Sequence, residues 1–188
     1  ESLKILKETN ALIEGHFILS SGLHSPKYVQ CAQLMSKPDK AIKICESLAS
    51  KIKSEFNDFD LILSPAMGGI IIGYELGRIL NKQTIFSERV NEEFKLRRDF
   101  KIKKGNKVLI VEDVITTGKS SMECSKLVTL SNANIVGYAC IIDRSNGKSK
   151  IREKIVSQVK LNIPTYSKDN LPKELLSIEA VKPGSRNL

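Results

Sequence analysis

Tryptophan is absent from this 188-residue chain, and aromatic side chains make up only 5% of it. Proteins that hold single-stranded nucleic acid stack its bases on such rings, so their scarcity argues against that class. The net charge of +9 then reads as a lysine-rich solvated surface, with a local share left to serve a small polyanionic substrate. Neither a nucleic acid nor a membrane is expected as partner. Cysteine is also sparse: Cys31, Cys45, Cys124 and Cys140 form no C-x-x-C pair and sit in apolar-periodic contexts, which suits reduced core thiols and disfavours a protein metal site. The longest apolar region, Leu61 to Gly73, is broken by Ser64, Pro65 and paired glycines, and cannot serve as a membrane span. The start, Glu1-Ser2-Leu3-Lys4, lacks a basic region followed by an apolar stretch and a small-residue cleavage site, so the expected compartment is the cytoplasm. No repeat, linker or low-complexity tract divides the chain. One domain over 1–188 is expected, with 41% hydrophobic residues to fill its core.

What is present is concentrated in Val108-Leu109-Ile110-Val111-Glu112-Asp113-Val114-Ile115-Thr116-Thr117-Gly118-Lys119-Ser120. Four apolar residues in a row suit a central strand covered on both faces, and the two acids are expected to emerge at its carboxyl end, where open α/β sheets bind ligands. Beyond them Gly118 leads into a run with Met122, Leu127, Val128 and Leu130 at helical spacing. Free N–H groups at that helix start, with the hydroxyls of Thr116, Thr117 and Ser120, can wrap a phosphate. A dianionic phosphate and two carboxylates fit one ligand only if the carboxylates meet hydroxyls. A ribose 5-phosphate supplies both. The segment is not a nucleotide-hydrolysing P-loop, because Gly118-Lys119-Ser120 lacks the upstream glycine.

Around it, strands alternate with helices. Ser2 to Glu14 carries Leu3, Leu6 and Ile13 at helical spacing, and Phe17-Ile18-Leu19 and Tyr28-Val29 read as short strands about the turn Ser21 to Pro26. Asp39 is expected to cap a helix running toward Phe56, with Ile42, Cys45, Leu48, Ala49 and Ile52 buried. There follow a strand Leu61 to Leu63, a helix from about Gly69 to Leu80, a strand Thr84 to Phe86, the motif strand Val108 to Val111, its helix to Ser131 and a strand Ile135 to Ile142. This order predicts an α/β fold with a doubly wound, mostly parallel sheet flanked by helices. Ser87 to Lys107 is long and charged, and reads as a mobile loop or hairpin over the site.

The motif resembles the 5-phosphoribosyl 1-diphosphate (PRPP) signature of type I phosphoribosyltransferases, and it matches that pattern at every position. The likeness extends further. Gly15-His16-Phe17-Ile18-Leu19-Ser20-Ser21-Gly22-Leu23-His24-Ser25-Pro26-Lys27-Tyr28-Val29 is similar to the small N-terminal hood of the orotate phosphoribosyltransferases. Ser64 to Ile70, Glu88-Arg89 with Leu96-Arg97-Arg98, Ile142-Asp143-Arg144 and the tail Val181 to Arg186 follow in that family's order. The resemblance implies a hood over about 1–36 joined by the tail, and a core over about 37–162.

It also implies roles. Glu112 and Asp113 would meet the ribose 2- and 3-hydroxyls. Thr116, Thr117, Gly118, Lys119 and Ser120 would hold the 5-phosphate, Thr116 also lying near orotate, with Val114 and Ile115 among the substrate-binding residues. Main-chain groups of Tyr28 and Val29 would bond the pyrimidine edge, Arg144 would pair with an orotate oxygen or carboxylate, and Arg89 would clamp the diphosphate. Mg²⁺ would be bound mainly through PRPP. The implied assembly is a homodimer whose loop reaches the neighbouring site. Three departures stand out: Ser20, Met67-Gly68 and the loop Val90 to Arg98 replace a lysine, a Tyr-Lys pair and a lysine- and histidine-bearing loop. They leave Lys95, Arg97 and Arg98 as alternative catalytic cations, with Lys27 a possible substitute for charge lost at Ser20. His16 and His24 read as turn-bonding residues ahead of ligand contacts. The implied reaction is transfer of phosphoribosyl from PRPP to N1 of orotate, giving orotidine 5-monophosphate and diphosphate on the route to UMP. A purine or uracil phosphoribosyltransferase shares the motif but has no reason to keep the hood and Arg144. A nucleic-acid-binding regulator of this fold fits the charge but not the hood.

Overall fold

The structure, a computed structural model, describes residues 1–19 and 21–183. Ser20 and the tail residues Gly184, Ser185 and Arg186 lie outside the described residues.

The chain starts with α1 (Ser2–Glu8), β1 (Leu12–Ile18), β2 (His24–Val29), α2 (Cys31–Met35) and α3 (Pro38–Glu55). The helix expected to reach Glu14 ends at Glu8. Asn10 takes a left-handed conformation at φ 58°, which asparagine tolerates, and Ile13 then enters a strand rather than a helical stripe. The hood strands are longer than expected and pair antiparallel, with Leu12 opposite Val29 and Ile13 opposite Tyr28. In α3 the first position is Pro38, whose fixed φ and missing N–H suit that place; Lys37 is the cap residue, and Asp39 lies inside the first turn. The buried stripe is Ala41, Ile44, Cys45, Leu48, Ala49 and Ile52, so Ile44 takes the place expected for Ile42.

The second half holds β3 (Leu61–Pro65), α4 (Gly68–Leu80), β4 (Gln83–Val90), β5 (Glu93–Leu96), β6 (Lys107–Ile115), α5 (Lys119–Leu130), β7 (Asn134–Asp143) and β8 (Ile155–Lys160), then a 3-10 turn Lys168–Asn170 and α6 (Lys173–Leu176). Six strands form one sheet in the order β5-β4-β3-β6-β7-β8. All neighbours are parallel except the β4–β5 hairpin.

Alternation sorts the strand residues onto two cores. Ile62, Leu109, Val111, Ala139 and Ile141 face α3, α4 and the hood, while Leu61, Leu63, Val108, Ile110, Tyr138 and Cys140 face α5. A sheet covered on both sides has no wet face, which is why these strands read as unbroken apolar runs. The four cysteines are buried and unpaired. No helix among the described residues is long and apolar enough to cross a membrane.

The C-terminal segment returns to the hood. Ile18 N–H donates to Val181 O at 2.8 Å and Val181 N–H to His16 O at 2.9 Å, while Tyr166 exchanges main-chain bonds with His24. Both hood strands, otherwise open-edged, thereby gain partners.

Candidate active site

The acid pair does not follow the strand; it lies within it. β6 runs on to Ile115, and Glu112 and Ile115 still pair with Cys140 and Asp143 of β7. On the other side, pairing with β3 ends at Ile110. The carboxylates therefore sit on rigid backbone that overhangs a step in the sheet, and rigid elements place reacting groups more precisely than loops do.

Consecutive strand residues point to opposite faces, and the two acids part accordingly. Glu112 faces α5, where the buried Ser121 hydroxyl donates to its Oε2. Asp113 faces the start of α4. A Cβ on Gly68 would lie 2.7 Å from Asp113 Oδ1, so the Met67-Gly68 turn leaves the room this carboxylate occupies. Val114 N–H donates to Asp113 Oδ1 at 2.9 Å. Cys31, where the hood meets α2, sets its Sγ 3.9 Å from Asp113 O.

Burial raises both acids. Glu112 is pushed up to about 7 by loss of solvent, an effect that the Ser121 hydroxyl opposes, the Asp113 charge reinforces and Arg89 opposes. Asp113 is raised by burial, against the pull of the Val114 N–H and its own. Desolvated carboxylates without a cation in contact cost stability. Such groups mark functional sites more often than chance would.

Behind them the chain makes the turn expected of a phosphate cradle. Thr116 and Thr117 are exposed, Ser120 half-buried and Lys119 exposed. Gly118 caps α5 at φ 78°, and a Cβ there would meet Ser149 Oγ at 2.7 Å and Ile151 Cγ1 at 2.8 Å. Glycine is required on both counts. Thr117 Oγ1 accepts from Lys119 N–H at 3.3 Å, and Thr117 O from Lys150 N–H at 3.2 Å. Ser120 and Ser121, in the first helical turn, have no carbonyl four residues back within the helix, so their N–H groups are available to an anion.

Arg144 follows β7, and its N–H donates to Ile115 O at 2.9 Å. Its guanidinium is half-buried and lowered from its ordinary value by burial, with the Tyr28 phenol as electrostatic neighbour. Among the described residues it has no carboxylate partner.

The hairpin cations stand differently. Arg89 donates to Glu92 O and to Glu123 of α5 and stacks its guanidinium 4.2 Å from the Phe94 ring centre. Lys95 lies opposite Glu88 in the ladder and Phe94 opposite Arg89, which puts Lys95 on the far face from Arg89. Lys95 pairs with Glu93 at 3.9 Å. Arg98 makes two 3.0 Å bonds to Glu88, and Arg97 approaches the same carboxylate at 4.0 Å. Lys27 is held by Glu14 of the neighbouring hood strand at 3.5 Å. The two hood histidines are buried and joined, His16 Nε2 to His24 Nδ1 at 2.6 Å, and His16 Nδ1 reaches Ile178 O at 2.9 Å. A carbonyl can only accept, so Nδ1 of His16 carries the proton, and the pair ties both hood strands to the returning tail.

The structure thus brings Glu112, Asp113, the Thr116–Ser120 loop, Arg89, Tyr28 and Arg144 to one end of the sheet, and leaves Lys95 on the opposite face of the hairpin. Sequence reasoning missed Ser121 and Glu123, whose signal was confined to helical spacing from Gly118, and named Gly68 as a departure without the role that its closeness to Asp113 gives it.

Comparison with known proteins agrees with this geometry. The family model described as the phosphoribosyl transferase domain matches residues 30–170, and the chain belongs to that family. Among its relatives is an orotate phosphoribosyltransferase of Parvibaculum lavamentivorans, 47% identical over 98% of this chain and 97% of that protein. Another, from Maricaulis maris, is 42% identical over 100% of this chain and 97% of its own length. The crystal structure of orotate phosphoribosyltransferase from Aeropyrum pernix superposes with a TM-score of 0.75 at 22% identity, covering 86% of this chain and 94% of that one; at that identity it speaks for the fold.

Proposed function

We infer that this chain is a glycosyltransferase that moves phosphoribosyl from PRPP to N1 of orotate, yielding orotidine 5-monophosphate and diphosphate in pyrimidine biosynthesis. The observation that carries this reading is Arg144, a half-buried guanidinium beside Tyr28 with no carboxylate partner among the described residues. An unpaired cation at that depth calls for an anionic ligand, and its planar fork suits a carboxylate. Orotate brings one; uracil and the purines do not.

In the reaction the bond from ribose C1 to the diphosphate oxygen breaks and N1 of orotate bonds to C1. Positive charge grows on the sugar ring and negative charge on the leaving diphosphate. Ionised Glu112 and Asp113, accepting from the 2- and 3-hydroxyls, stabilise the cationic ring. The loop from Thr116 to Ser120, just beyond Val114 and Ile115 at the end of β6, holds the 5-phosphate. Arg89, already within electrostatic reach of Glu112, exchanges Glu123 for the diphosphate. In a two-stranded sheet, consecutive residues aim their main-chain groups alternately at the partner and away, so one of Tyr28 and Val29 keeps a free edge for the pyrimidine. Orotate is an anion and needs no strong general base.

Magnesium suits this donor set as an ion that enters on PRPP. Among the described residues no cluster of three or more His, Cys, Asp or Glu could hold one alone, and a hydrated Mg²⁺ shared with substrate phosphates needs none. When bound it neutralises the departing diphosphate.

The hood of about 1–36, with the tail, covers this site in our reading, over a core of about 37–162. We place the reaction in the cytoplasm, where four buried free thiols stay reduced. A homodimer is the assembly that the resemblance implies. It is supported by Met67, which caps α4, and Ile71 and Tyr74 within it, 83%, 55% and 67% exposed at helical spacing from the site itself; a second copy would cover them. Subunit mixing tests the shared loop: Asp113→Asn protein and a triple alanine variant at Lys95, Arg97 and Arg98, each impaired alone, should together show more activity than the sum of the two. The primary test is PRPP-dependent consumption of orotate, compared with uracil, adenine and hypoxanthine. Preference for any base other than orotate would overturn the assignment.

A further inference from the structure

Ser121 lies one residue beyond the phosphate loop and is fully buried. Its hydroxyl has one described partner, Oε2 of Glu112, to which it donates. A helix residue that spends its side chain on a strand carboxylate rather than on its own turn does so because the α5–β6 contact aims it there. Packing fixes the serine and the serine fixes the acid.

We infer that Ser121 is a positioning residue of the transfer reaction, holding one oxygen of Glu112 from behind so that the other is turned, as a carboxylate, toward the ribose hydroxyl. This rests on the assignment of Glu112 to the ribose. A glutamate on a strand has three side-chain torsions to fix, and the neighbours that could fix them are few. From its own strand Asp113 adds like charge; from β4, Arg89 adds opposite charge without a direct bond; from α5 and β7 come the thiols of Cys124 and Cys140, which are protonated. Of these groups only the Ser121 hydroxyl donates to the carboxylate. A hydroxyl that donates to a carboxylate favours the ionised form, and here it works against burial, which raises Glu112 to about 7.

The test is a pH series on the full chain with PRPP and orotate, using wild type, Ser121→Ala and Ser121→Thr. Ser121→Ala should move the acid limb of kcat/KM for PRPP upward by about one pH unit, since a hydrogen bond to a charged group is worth about that much. Well above that limb the charge is restored but the aim is not, so a residual loss of roughly threefold to tenfold in kcat/KM should persist. Ser121→Thr keeps the hydroxyl and should return the limb toward wild type. A ¹³C titration of the Glu112 carboxyl, assigned with Glu112→Gln, should move the same way in the absence of substrates. A folded Ser121→Ala protein with unchanged pH limb and unchanged carboxyl titration would overturn the inference while wild-type activity stands. A wild type inactive with PRPP and orotate would instead overturn the functional assignment, and the carboxyl titration would still decide whether Ser121 governs Glu112.

Discussion

The carboxyl ends of β6 and β7 and the β4–β5 hairpin treat their charges in opposite ways. At the strand ends the charges have lost water without gaining a counter-ion: Glu112 and Asp113 are raised by burial, and Arg144 is lowered by it. On the hairpin each cation has a carboxylate within 4.0 Å, Arg89 with Glu123, Lys95 with Glu93, and Arg97 and Arg98 with Glu88. Exposed pairs of the second kind contribute little to stability. They can be given up cheaply when a diphosphate arrives. Buried unpaired groups of the first kind are costly, and in the proposed function that cost is offset when the ligand supplies the missing partners. The difference separates a preorganised half of the site from a half that must rearrange.

The largest effect should come from emptying the preorganised half of charge. Asp113→Asn should lower kcat by about tenfold to a thousandfold, the range for electrostatic preorganisation, with an unchanged circular dichroism spectrum. Near-normal turnover in the folded variant would remove Asp113 from the ribose site.

Next is the stability hidden in Glu112. Its folded value of about 7 lies above the ordinary 4.5, so between those values the native state binds the extra proton. Raising the pH through that window should therefore destabilise the free protein. Glu112→Gln should flatten the thermal midpoint against pH and stabilise the free protein at pH 8 by on the order of 1–3 kcal/mol. Calorimetry from pH 5 to 8 checks this; a midpoint that rises with pH in wild type and not in the variant would contradict it.

Arg144→Lys comes third. A point charge cannot replace a planar fork, so KM for orotate should rise about tenfold while KM for PRPP changes far less. Equal losses for both would put Arg144 outside the base pocket.

The smallest effect should come from the hairpin. Glu88→Gln frees Arg97 and Arg98, and both are exposed, so the thermal midpoint should stay within about 2 °C of wild type. A drop several times larger would mean that these pairs hold the hairpin in place, and the comparison above would lose its sense.

Much of the architecture was legible in the chain. The strands β3, β6 and β7 read as apolar runs because both their faces are covered, and Gly118 announced its turn because no other residue fits there. Other elements misled for physical reasons. The α1 stripe seemed to continue through Ile13 because apolar spacing alone cannot distinguish a helix from a helix followed by a strand, and the left-handed Asn10 decides between them. β8 (Ile155–Lys160) has a half-polar pattern and becomes a strand through pairing with β7, an interaction between residues that the local sequence does not reveal.

By itself the sequence determined the chemistry on offer: two adjacent acids after an apolar run, a hydroxylated glycine turn that can wrap a phosphate, and an arginine after a later apolar run. Each follows from local rules about which residues a strand, a turn or a helix start accepts. Only the tertiary structure decided which of these charges go unpaired. Glu112 turns to Ser121, Asp113 turns to the gap at Gly68, Arg144 stands beside Tyr28, and the hairpin arginines are taken by Glu88 and Glu123. Burial and pairing depend on distances between residues far apart in the chain, and those distances exist only once the sheet has set its step and the helices have covered its faces.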